Sequence, residues 1–117
     1  MYVREYGKDA LDEIPKELDR LLTLHGLDKE GWTYELVDGL GNYGGFTHQN
    51  LKKIAINIQY LPTKDRNIQE LLLHEVAHAL CGHGEHNLEW WDKLIDIGGR
   101  GIWIHDDGEL TQVRITS

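Results

Sequence analysis

With 117 residues, the chain has room for one domain around a single core, and its 40% hydrophobic and 27% charged composition is that of a soluble globular protein. One cysteine, Cys81, excludes an internal disulfide and a multi-cysteine zinc site; with no apolar run of about 18 residues and no N-terminal secretory pattern, a cytoplasmic protein without a membrane span is expected. The formal net charge of −8 argues against direct DNA or RNA binding, because phosphate backbones call for a basic patch, and Lys52-Lys53 and Lys64/Arg66 read as solvated turn residues.

A first helix is expected over about 9–25. Leu11, Ile14, Leu18, Leu21 and Leu22 form its apolar stripe, and Gly26 suits the position after its last turn. Because proline is tolerated only in a first turn, Pro15 places the regular start near Asp12 to Ile14. Residues 32–60 alternate as strands. Trp32, Tyr34 and Leu36 form one, Tyr43 to His48 a second, and Ile54, Ile56 and Ile58 a third. The predicted arrangement is a small antiparallel three-stranded meander. The glycine-rich run from Gly39 to Gly45 is read as a long hairpin connection, with a flap over a cleft as the alternative.

A second helix is expected over about 66–81, capped by Thr63 or Asp65 and ended by Gly82. Ile68, Leu71, Leu72, Val76, Ala79 and Leu80 recur at helical spacing, so the helix is expected to bury one side. On its flank lies His74-Glu75-Val76-Ala77-His78, an H-E-x-x-H pattern. Two histidines four apart share one helix face and can share one zinc ion, and the glutamate between can act as general base on a metal-bound water. Cys81, in the same helix, is read as a small buried residue. A third helix over about 87–97 begins at Asn87 as N-cap, with Trp91, Leu94 and Ile95 as the buried stripe and Trp90 placed to cover the metal loop. Ile102 to Ile115 reads as a C-terminal β-hairpin, about 102–115, turning at Asp107-Gly108. The whole is an α+β fold of one domain, 1–117.

A catalytic zinc takes three protein ligands and leaves one position for water. The metzincin pattern fails, because Cys81 and Gly84 stand where it needs Gly and His. Three candidates remain for the third ligand: His86 first, His83 second and Glu89 third. If all four histidines bound the metal, the site would be structural.

Leu72-Leu73-His74-Glu75-Val76-Ala77-His78-Ala79-Leu80, followed by His86-Asn87-Leu88-Glu89-Trp90, resembles the SprT-like zinc metalloproteases, the family that includes Spartan. Its members read L-x-H-E-x-x-H-A, then H-G-P-x-W or H-G-P-x-F at the start of the next helix. The resemblance implies a minimal zincin-like domain, zinc held by His74, His78 and His86, and a catalytic role for Glu75. Asn87 and Leu88 replace the usual Gly-Pro, and the paired cysteines of the family's C-terminal zinc ribbon are missing. Family members of the Spartan type cleave proteins crosslinked to DNA; the acidic balance here does not favour that substrate class.

The expected function is that of a zinc metallopeptidase, in which Glu75 activates a zinc-bound water against a peptide bond of a protein or peptide substrate. Tyr43, His48, Tyr60, Arg100 and His105 are the candidate oxyanion stabilisers. The alternatives are a non-catalytic zinc-binding domain with a structural or partner-binding role, and a metal-dependent hydrolase of another amide or ester bond.

Overall fold

The structure is a computed structural model that describes residues 2–38, 45–57, 65–100, 102–104 and 110–112. Three helices and a small three-stranded sheet make an α+β fold. Helix α1 spans Tyr2–Leu24, α2 Asp65–Cys81 and α3 Leu88–Asp96; strands β1, β2 and β3 span Thr33–Val37, Gly45–His48 and Lys53–Asn57.

Helix α1 passes through Pro15 and starts well before the expected Asp12. A proline inside a helix removes one backbone hydrogen bond and costs about 3 kcal/mol or more. Tertiary contacts on both sides of Pro15 offset this. Ile14 and Leu18 are fully buried, and the Tyr34 hydroxyl donates to the Pro15 carbonyl at 3.2 Å. At the other end the expected stop holds: Gly26 takes φ +74° and its N–H returns to the Thr23 carbonyl.

The sheet is mixed, and the antiparallel meander is corrected. The strand order is β1-β3-β2, with β1 parallel to β3 and β2 antiparallel to it. The meander assumed that each strand pairs with the next. Instead, the chain after β1 crosses to the far side, so β3 enters between its two predecessors. This gives the central position to the strand with the most apolar inner face, where Ile54 and Ile56 are wholly buried. Parallel neighbours cannot be joined by a tight hairpin, and here β2 and its flanking segments supply the crossover.

Helix α2 lies at the centre of the molecule, in contact with α1, α3, β2 and β3. Every residue from Glu70 to Ala79 is buried, on all sides of the helix. The expected single buried side is therefore too narrow: Leu73, outside the predicted stripe, is only 4% exposed. A helix enclosed all round belongs to the interior of a fold. Helix α3 packs through Trp90 and Leu94 rather than through the expected Trp91, Leu94 and Ile95; Ile95 is exposed. Asn87 caps it as expected, its side-chain oxygen accepting from the Trp90 N–H at 3.1 Å. Ile102–Ile104 and Leu110–Gln112 are paired antiparallel. The expected turn at Asp107-Gly108 and the remainder of the tail lie outside the described residues, as do Ile58 and the glycine-rich run up to Gly44.

Glu17 joins the first two helices. Arg20 donates to both of its carboxylate oxygens at 2.7 Å, and Gln69 of α2 donates to one of them at 2.7 Å. Chiefly through Arg20, these bonds hold the Glu17 carboxyl below its usual range. A depressed folded-state pKa contributes stability that is present above the unfolded value of about 4.3 and is lost as pH falls through the folded one. Glu17→Gln is therefore expected to lower the urea midpoint at pH 7, and the difference from the parent should shrink as pH falls below about 4. Equal midpoints at pH 7 would show that Glu17 contributes nothing.

Candidate metal centre

Helical spacing places His74 and His78 one turn apart on α2, and the buried position of that helix removes both from solvent, at 8% and 5% exposure. The chain then reverses. Gly82 takes φ +81°, a left-handed conformation that ends the helix, and its N–H bonds to the His78 carbonyl at 2.9 Å. The short loop that follows returns His86 to the two helix histidines just before α3 begins. His86 Nε2 lies 3.1 Å from His74 Nε2 and 3.1 Å from His78 Nε2. His86 is half-buried, so the cluster meets solvent on its side.

The donor set fits a divalent metal of the zinc type. Nitrogens around a tetrahedral zinc at 2.0–2.1 Å stand about 3.3 Å apart, close to the spacing here. His78 Nδ1 donates to the His83 carbonyl at 3.0 Å, which leaves the Nε2 lone pair of the neutral ring facing the cluster. Burial pushes His78 and His86 down to about 4, and burial together with the two neighbouring rings pushes His74 well down, so all three rings are neutral at pH 7. With a neutral His78 in this tautomer, one proton shared among the three inward nitrogens cannot satisfy both short contacts to His86. A cation satisfies them together.

Trp90 forms the floor. It is fully buried, its ring lies nearly parallel to His78 at 5.4 Å, and it meets His74 and His86 edge-on at 4.8 Å each. Its Nε1 donates to the His74 carbonyl at 3.3 Å. The expectation that Trp90 covers the loop underrates this contact with all three imidazoles.

His83 and Glu89, the other two ligand candidates, engage each other instead. His83 Nε2 donates to Glu89 at 2.8 Å, while His83 Nδ1 accepts from the Glu85 N–H at 3.2 Å. Both ring nitrogens serve the loop, and the cluster of three converging ligand atoms comprises His74, His78 and His86. Cys81 is half-buried, with its sulfur near the His78 and His83 carbonyls.

Glu75 is 4% exposed, and burial raises its carboxyl to about 7, opposed by a hydrogen bond from Thr47. The Thr47 hydroxyl lies 2.6 Å from Glu75 Oε1 and 3.0 Å from the Glu75 carbonyl. Gln49 Nε2 donates to the His78 carbonyl at 3.1 Å. The sequence reading missed Thr47 and Gln49. Thr47 lies on β2 and Gln49 at the turn after it, and alternation along a strand says nothing about which helix the strand meets. Of the proposed oxyanion stabilisers, His48 is exposed on the opposite face of β2 from Thr47 and packs edge-on against Phe46 at 5.2 Å. Arg100 is exposed, and its main-chain N–H is held by both oxygens of buried Glu70 at 3.1 and 3.0 Å. Tyr43, Tyr60 and His105 lie outside the described residues.

Comparison with protein-family models, with curated proteins and with solved structures found no match.

Single substitutions His74→Ala, His78→Ala and His86→Ala are each expected to abolish stoichiometric zinc binding, measured by metal analysis after dialysis. His83→Ala is expected to keep one equivalent with affinity lowered about 10–100-fold, since it removes only loop support and leaves the main-chain carbonyl that holds His78. Loss of zinc from His83→Ala as complete as from His86→Ala would move the third ligand to His83.

Proposed function

We propose that this protein is a zinc-dependent metallopeptidase of the SprT-like type, with His74, His78 and His86 as the metal ligands and Glu75 as the general base. The observation that carries this reading is the convergence of three neutral imidazole nitrogens, with the residue next to His74, Glu75, carrying a buried carboxyl raised to about 7. A zinc ion, when bound, acidifies a coordinated water to about pKa 7 and polarises a carbonyl.

The chain's own residues do the rest. Glu75 accepts a proton as water attacks the peptide carbonyl, and returns it to the leaving amine. A carboxyl near 7 suits both transfers at neutral pH. Trp90 and the His83 carbonyl hold the imidazoles in place, keeping the ligand set assembled. Strand β2 is the sheet edge beside α2, and among the described residues no strand pairs with its outer side. An extended peptide can add there as a further strand, reading main chain before side chain. Substrate is accordingly protein or peptide, and the net charge of −8 speaks against recruitment by direct contact with nucleic acid. No described helix is long and apolar enough to cross a membrane, and the reading places the enzyme in the cytoplasm.

One observation favours a second reading. Glu75 is nearly closed off by β2, which also suits a zinc-binding domain without turnover, in which the carboxylate serves packing alone.

Glu75→Gln separates the two. The variant is expected to bind one zinc and to unfold at a temperature within a few degrees of the parent, while cleavage of an unstructured protein substrate falls at least ~1,000-fold. Chelation should abolish parent activity and added zinc restore it. A zinc-loaded parent that cleaves no peptide in a broad library would sink the peptidase reading and favour the second.

A further inference from the structure

We propose that Gly45 and Thr47, two residues apart on the helix-facing side of β2, are positioning residues that lock the carboxylate of Glu75. This rests on the reading of Glu75 as general base. The two residues meet opposite oxygens of the same group. The Thr47 hydroxyl lies 2.6 Å from Oε1, and an ionised carboxylate can only accept from it. At Gly45, a Cβ would stand 3.1 Å from both Cγ and Oε2 of Glu75 and 3.2 Å from the Ala55 carbonyl. A methyl there would be tighter than ordinary contact, so the Glu75 side chain or the Ala55 backbone would have to give by a few tenths of an ångström. One oxygen is thus held by a charge-assisted hydrogen bond and the other is bounded by bare backbone.

The same hydroxyl lies 3.0 Å from the Glu75 main-chain carbonyl, so β2 meets both the side chain and the backbone of Glu75. A base fixed in this way starts each proton transfer from one geometry, and a misplacement of about 1 Å can cost on the order of 100-fold in rate. Because β2 is also the proposed substrate-pairing edge, one strand sets the position of the base and of the peptide.

A purely structural Thr47 would pin β2 to α2 and nothing more. Three variants of the zinc-loaded protein separate the roles. Thr47→Val keeps the shape and removes the hydroxyl; it is expected to lower kcat about 10–100-fold with KM within about twofold and zinc content unchanged. Thr47→Ser is expected to restore kcat to within about threefold of the parent. Gly45→Ala is expected to lower kcat in the same way. A readout apart from activity comes from crystal structures of Thr47→Val and Gly45→Ala, in which the Glu75 carboxylate should leave its parent position. An unmoved carboxylate in both overturns the proposal, whether or not the parent cleaves peptides. So does a Thr47→Val enzyme with parental kcat, or one whose lost activity follows lost zinc. An inactive parent whose carboxylate still moves in both variants overturns the peptidase reading and leaves the lock standing.

Discussion

Four ionisable side chains, Glu70, His74, Glu75 and His78, sit on a helix enclosed on every side. Burying such groups without partners costs several kcal/mol each, so the surrounding elements must supply partners. Much of the fold around α2 can be understood as that supply. The Arg100 N–H answers Glu70, Thr47 answers Glu75, and the His83 carbonyl answers the Nδ1 of His78. Gln49 and Trp90 bond to the carbonyls of His78 and His74. These partners come from β2 and the turn after it, the 82–86 loop, α3 and the segment after it. Each element is tied to the central helix by a polar bond as well as by apolar packing.

This constraint also explains which parts were legible in the sequence. Helix α2, its glycine stop, the Asn87 cap and the three histidines all rest on local spacing, and local spacing survives folding. Helical periodicity could not show that α2 is central. Its polar positions imitate a solvated face, because residues chosen for chemistry look the same in one dimension as residues chosen for water. Leu73 falls outside the apolar stripe and is buried all the same. Trp90 and Trp91 differ by one helical step, about 100°, and only the docking of α3 decides which turns inward. Thr47 and Gly45 lie nearly thirty residues before Glu75, and no pattern in either segment names the other.

Strand order was beyond reach for a related reason. Alternation identifies a strand and its inner face, and is silent on its neighbours. The mixed order matters for the site. In a meander, β2 would be central, with both edges paired. In the observed sheet it is an edge, and its inward residues fall against the part of α2 that carries Glu75. At Pro15 the local rule against proline in a helix is outweighed by tertiary contacts on both sides.

Metal binding at the three histidines, as proposed, would couple to folding in a definite direction. The Nε2 of His86 lies 3.1 Å from those of His74 and His78, and all three ligand atoms lie within 4.8 Å of one another. Two of the rings are on a helix fixed by the core, and the third is on a loop fixed by a glycine reversal and the His83–Glu89 bond. An ion that bonds all three would join α2 to the start of α3. Binding free energy of this kind would act as folding free energy. Glu75 stands apart from that exchange, because Thr47 holds it through β2. The proposed ligand set would then draw order from a metal, whereas Glu75 is held by Thr47.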